Sequence, residues 1–210
     1  MRLLLLSWGI GALPEFLDTA VDRSRADLRL GYLNDAALPY GDAEFAAIDR
    51  TRLTALGYRP EVVTARDYAC AEDFADRLDR LDALYVCGGE TYVLLDHLRR
   101  GGLDRVLTDR VRGGLPYVGL SAGAVLAGAS TEPVSLMDDL STAPGLTDLR
   151  GLGLLEASVV PHADGAIPQY PASLISRVVD TYGPRMPLLL LHDDQALLVT
   201  DGDVTLIDSP

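Results

Sequence analysis

The chain has 210 residues, 48% of them hydrophobic and 23% charged, a composition that supports a folded core and argues against disorder. Asp and Glu total 31 against 18 basic residues, every one an arginine, for a formal charge of −13. That balance disfavours nucleic acid and anionic membranes, which need cationic surfaces, and reads mainly as solubility.

In chain order, Arg2–Ser7 reads as a buried strand. Its opening Met1-Arg2-Leu3-Leu4-Leu5-Leu6 resembles a signal peptide only superficially: the apolar run is short and no small-residue cleavage site follows. Leu13–Arg25 has helical periodicity, with Leu13, Phe16, Leu17, Ala20 and Val21 on one face. Leu28–Leu33 is a second strand, Asp42–Leu56 a helix closed by Gly57, and Pro60–Thr64 a third strand. Ala71–Leu78 is helical and Ala83–Cys87 a fourth strand. Helices follow over Thr91–Arg100 and Leu103–Arg112, each ended by a glycine pair. Pro116–Leu120 is a fifth strand and Ala122–Ala129 a helix. Thr131–Gly153, rich in Pro, Gly, Ser and Asp, reads as a long irregular excursion. Ala157–Val160 resumes the strand pattern, a helix lies near Pro171–Tyr182, and Leu188–Leu191, Ala196–Thr200 and Val204–Ile207 are strands. The last two flank Asp201-Gly202, a hairpin turn. The alternation predicts one α/β domain over 1–210 with a mostly parallel central sheet. No run of about 18 apolar residues predicts a membrane span. Cys70 and Cys87 make neither a disulfide framework nor a zinc site and fit a reducing cytoplasm.

The sharpest motif is Gly119-Leu120-Ser121-Ala122-Gly123, a G-x-S-x-G between a strand and a helix. That context lifts Ser121 to the carboxyl edge of the sheet and aims a helix N-terminus at it. The N–H of Ala122 is one candidate oxyanion donor. Cys87-Gly88-Gly89-Glu90-Thr91 ends the fourth strand, where Gly88 or Gly89 supplies a second donor and Thr91 can cap a helix. A serine nucleophile needs a base. His97 sits beside Arg99 and Arg100 and is expected to face solvent. His192 ends an apolar strand and reads as a buried structural histidine or a second choice of base. His162, after Val159-Val160-Pro161, stands where a strand gives way to a loop and is favoured. For the orienting carboxylate, Asp193 or Asp194 follows a strand, while Asp138, Asp139 and Asp164 stay open. The order Ser121, His162, Asp193 differs from the Ser…Asp…His of α/β-hydrolases, an order that His192 with Asp138 would satisfy.

Taken together, Cys87-Gly88-Gly89-Glu90-Thr91-Tyr92, Gly119–Ala124, Val160-Pro161-His162 and His192-Asp193-Asp194 resemble the peptidase E and cyanophycinase family of serine peptidases. The resemblance implies a three-layer, class I glutamine-amidotransferase-like (flavodoxin-like) sandwich with Ser121 as nucleophile, His162 as base and Asp193 where the family typically has glutamate. It implies peptide hydrolysis through an acyl-enzyme with no cofactor or metal, on a small peptide substrate, by a cytoplasmic monomer or homodimer. Aspartate-specific members carry an arginine shortly after the elbow. Here Ser130-Thr131-Glu132-Pro133 holds glutamate, which would repel an acidic side chain. Strict aspartyl dipeptidase activity is therefore not expected, and Glu90 and Glu132 are candidates for holding a substrate ammonium. An esterase, an amidase or a small-ligand-binding relative is the alternative.

Overall fold

The computed structural model describes residues 1–41 and 44–210, and of the side chains all but those of residues 42–46. A seven-stranded sheet has the order β3-β2-β4-β5-β1-β8-β9. Its strands are β1 (Arg2–Leu6), β2 (Leu30–Leu33), β3 (Glu61–Val63), β4 (Ala83–Val86), β5 (Tyr117–Leu120), β8 (Gln195–Thr200) and β9 (Asp203–Asp208). The first five run parallel, and β8 and β9 close one side antiparallel. This is the mostly parallel α/β architecture that the alternating pattern predicts. β6 (Ser158–Val160) and β7 (Leu188–Leu190) form a separate parallel pair.

Leu3 to Leu6 are fully buried between β5 and β8, which explains the opening leucine run as a central strand. The helices are α1 (Leu13–Ala20), α2 (Glu44–Ala55), α3 (Ala71–Leu78), α4 (Thr91–Arg99), α5 (Leu103–Arg112), α6 (Ala122–Ala127) and α7 (Ala172–Tyr182). The apolar faces of α1 to α6 merge with the strands in one core that runs from Leu3 to Val199, while Val178 and Tyr182 of α7 pack with Val160 of β6 in a separate cluster. Among the described residues no helix is long and apolar enough to cross a membrane.

Two local expectations are corrected. The first helix stops at Ala20, not Arg25, because Val21 turns extended and the following polar run has no apolar face to bury. Ser24 Oγ instead donates to Asp27 at 2.6 Å, a local bond that competes with helix. The helix expected from Asp42 is described from Glu44, Asp42 and Ala43 lying outside the described residues. The 131–153 excursion is not irregular throughout. Two 3-10 turns, Glu132–Leu136 and Leu140–Thr142, fold it back, and the N–H and hydroxyl of Thr131 both donate to Leu149 O. Val134 and Ala143 pack with Tyr92 and Val125, so the loop is held against α4 and α6. The Asp201-Gly202 hairpin forms as expected, both residues at positive φ (51° and 99°), the geometry of a primed turn.

Candidate active site

Parallel strands in register deliver their following residues to one edge. Leu6 pairs with Leu120 across β1 and β5, and Val86 with Gly119 across β4 and β5. Ser7, Ser121 and Cys87-Gly88-Gly89 therefore emerge side by side. The β6–β7 pair does the same for the other half of the site: Val160 pairs with Leu190, so His162 and Asp193 leave adjacent strands in the same direction.

The side chains then meet in a line. Ser121 Oγ lies 2.9 Å from His162 Nε2, and His162 Nδ1 lies 2.6 Å from Asp193 Oδ1. Ser7, fully buried, braces the histidine and the acid: its Oγ donates to Asp193 Oδ1 at 2.9 Å and accepts the His162 backbone N–H at 2.7 Å. The latter bond fixes the backbone at His162, which stands at φ 59°, a left-handed conformation uncommon for a non-glycine residue. Burial pushes the Asp193 carboxyl up, but the bonds from His162 and Ser7 outweigh it and leave it below its ordinary value. The Tyr170 ring stacks on the imidazole, centroids 5.0 Å apart and planes within 9°.

Ser121 sits at φ 48°, ψ −106° before α6, the strained turn that the flanking glycines permit. A Cβ on Gly119 would lie 2.4 Å from Gly123 O, and one on Gly123 2.4 Å from Val86 O, so the motif spacing records two close backbone approaches. Gly89, at φ 133°, packs so closely that a Cβ would lie 2.2 Å from Ala36 O. Of the three oxyanion candidates, Gly88 N–H is engaged, donating to Asp49 Oδ2 at 3.4 Å. The N–H groups of Gly89 and Ala122 have no partner among the described residues and are free to donate. Cys87 is fully buried and burial pushes its thiol up to about 12, which suits a small core residue and not a nucleophile.

These groups face a cavity of about 640 Å³ lined by Trp8, Tyr32, Ile48, Asp49, Gly88, Ser121, His162 and the 166–170 loop, among others. A recess of about 10 Å³, room for one water-sized group, lies beside Ser121 against Asp138, Thr91 and Tyr170. Asp138 Oδ2 accepts the Thr91 N–H at 3.2 Å, at the start of α4. Burial raises the Asp138 carboxyl to about 6, with Thr91 lowering it and the Glu90 charge raising it further. Glu90 Oε1 accepts from Tyr40 Oη at 2.8 Å, while Oε2 is shut from solvent without a partner among the described residues.

Other candidates fall elsewhere. Glu132 does not line the cavity: at the start of its 3-10 turn its carboxylate pairs with Arg185 at 3.2 Å. His97 does not face solvent, because Nδ1 sits 2.8 Å from the fully buried Asp35, whose carboxylate also accepts the Ala65 and Arg66 N–H groups. His192 is exposed, not buried, and its backbone N–H is taken by Gln195. No hydrogen bond joins it to Asp138. Asp194 points outward, Asp139 caps Ser141, and Asp164 accepts the Asp193 and Ala166 N–H groups.

Ser7, Asp49 and Tyr170 escape a reading of sequence. Ser7 has a weak signal, a small polar residue directly after an all-apolar strand. Asp49 sits within a helix among charged neighbours, and only its burial, 6% exposed, distinguishes it.

Comparisons with known proteins follow the same line. The model of Peptidase family S51 matches residues 11–207. The chain is 35% identical over 169 residues to peptidase E of Streptomyces coelicolor, covering 77% of this chain and 64% of that one. It is 34% identical over 133 residues to an uncharacterized peptidase of Pasteurella multocida, 63% of each chain. The matches thus span less than two thirds of the length of these relatives. A Listeria monocytogenes crystal structure solved as a candidate peptidase E superposes with a TM-score of 0.84 at 22% identity, over 99% of this chain and 98% of that one. A peptidase from an acI-B1 actinobacterium superposes at 0.67 and 19% identity, over 99% and 87%. Both structural likenesses bear on the fold.

Proposed function

The chain belongs to peptidase family S51, and we propose that it hydrolyses short peptides, in the manner of a dipeptidase, through an acyl-enzyme on Ser121. The observation that carries this reading is the line Ser121–His162–Asp193, with bonds of 2.9 and 2.6 Å, at the mouth of a strand–helix elbow. Asp193 accepts the Nδ1–H of His162, which leaves Nε2 bare to take the Ser121 proton. Ser121 Oγ then attacks the scissile carbonyl carbon, and the carbonyl oxygen becomes an alkoxide facing the Gly89 and Ala122 N–H groups. His162, now protonated, gives that proton to the departing amine as the C–N bond breaks. Water repeats the sequence on the acyl-enzyme and frees Ser121.

Aspartate suffices where a longer acid is usual because the backbone brings it in. The Asp193 carbonyl accepts the Gly9 N–H at 2.8 Å, and its side chain reaches His162 at full hydrogen-bond length. A fluorophosphonate probe is expected to label the wild-type protein and not Ser121→Ala. A mass-spectrometric panel of dipeptides and tripeptides against esters then reads the reaction class. Equal labelling of Ser121→Ala, or turnover of esters alone, would refute this assignment.

A further inference from the structure

The cavity contains a carboxylate that hydrolysis as described does not use. Asp49 projects from α2 into the wall and is 6% exposed. Its only hydrogen bond among the described residues is the long one, 3.4 Å, from Gly88 N–H. A buried carboxylate with so little compensation is costly and is retained where something else completes it. Arg52, whose charge reaches Asp49, makes no ion pair with it among the described residues: its guanidinium donates to Trp8 O at 2.9 Å and lies over the Trp8 ring. No arginine among the described residues lines the cavity, and Trp8, Tyr32, Ile48 and Ile167 supply apolar wall.

We propose that the cavity selects peptides carrying a cationic side chain, an ammonium or guanidinium, beside the scissile bond, and that Asp49 receives that charge. The proposal rests on the peptidase reading of the same site and names its substrate class. The shape suits it. A volume of about 640 Å³ admits a long side chain whose methylenes lie on Trp8 and Ile48 while the head reaches the acid. The recess against Asp138, about 10 Å³, is too small for such a side chain.

The position also links binding to chemistry. A Cβ on Gly88 would lie 3.3 Å from Ser121 Cβ, so Gly88 rests against the nucleophile, and Asp49 rests on Gly88. A bare carboxylate there opposes the alkoxide that forms at Gly89 and Ala122. A substrate cation neutralises it, so cationic substrates gain in kcat as well as in binding. An acidic side chain meets repulsion in both respects.

The test uses the Ser121→Ala protein, which cannot form the acyl-enzyme, and calorimetry with paired dipeptides. The pairs are arginine against citrulline and lysine against norleucine, each placed first and second. At pH 8 the cationic member of at least one pair is expected to bind tenfold or more tightly. Adding Asp49→Asn, an isosteric change, should bring that ratio near one. Equal affinities in Ser121→Ala overturn the proposal without any Asp49 variant. A preference that survives Asp49→Asn overturns it, as does an equal loss for both members of a pair, which would mean that Asp49 holds the α-ammonium instead. The measurement needs no turnover. A wild-type protein that binds with the expected ratio but is never labelled by fluorophosphonate would refute the hydrolytic reading and leave this one standing.

Discussion

Replacing Asp49 by asparagine isolates the cost of keeping a carboxylate in the cavity wall. Burial raises this carboxyl from 3.8 to about 6, against smaller lowering contributions from the Gly88 N–H and Arg52. Tyr32, Tyr85 and Cys87 also surround it, all uncharged near neutrality. A group whose folded pKa lies above its unfolded one stabilises the fold relative to its ionised state only at low pH. That contribution is complete below about 3.8 and is lost as pH rises to about 6. At pH 8 the ionised Asp49 therefore costs up to about 3 kcal/mol of folding free energy. Asparagine occupies the same space and still accepts the Gly88 N–H, but carries no charge. The variant is expected to be more stable than wild type by up to about 3 kcal/mol at pH 8, a rise of roughly 6–12 °C in Tm for a chain of this size. The gain should shrink steadily and vanish near pH 4. Urea unfolding followed by circular dichroism at pH 4, 6 and 8 reads it directly. A variant no more stable than wild type at pH 8, or a gain that does not change with pH, would refute the argument that Asp49 is a buried and poorly compensated charge.

Further outcomes follow from the same geometry. Ser7→Ala removes two bonds at once and leaves the buried His162 N–H without its acceptor; it should lower kcat about tenfold or more with little change in KM, and cost about 1–3 kcal/mol in urea unfolding. Asp193→Asn keeps the shape but disturbs the histidine tautomer, and peptidase assays should show kcat reduced by about 10⁴. Because the Asp193 pKa is lowered in the fold, the wild type's stability advantage over this variant should be present above about pH 4 and disappear as acid protonates the carboxyl. Gly89→Ala places a methyl carbon against Ala36 O and should abolish activity through local rearrangement, visible as lost fluorophosphonate labelling in a protein that retains its far-ultraviolet dichroism. Glu132→Gln breaks only a partly exposed pair with Arg185 and should leave KM for neutral and cationic peptides unchanged and stability within about 0.5 kcal/mol.

What could be read in advance depends on how each residue reaches the site. The G-x-S-x-G at 119–123 is legible because its spacing is a backbone requirement: Gly119 and Gly123 each touch main chain that a Cβ would displace. Asp201-Gly202 is legible for a related reason, since two successive positive φ angles restrict the residues that can stand there. His162 and Asp193 are legible less directly, as polar residues just beyond apolar strands, and the parallel β6–β7 pairing is what turns that shared position into contact. Ser7 obeys the same rule at the end of β1 and could have been found by it. His97 and Asp35 could not, because a histidine on α4 among arginines gives no sign that a 3-10 turn from another part of the chain, Asp35–Tyr40, will bury a carboxylate against it. Asp49 is the sharpest case. Its neighbours Arg50 and Arg52 are charged as well, so the helix pattern reads as a solvated face, and this one residue is buried by groups distant in sequence, Tyr32, Tyr85 and Gly88, that close on it in the fold. Specificity in such a fold is written on the elements laid over the sheet edge, where sequence periodicity is silent. The reaction chemistry is written at the strand ends, where periodicity stops and the stop itself is the signal.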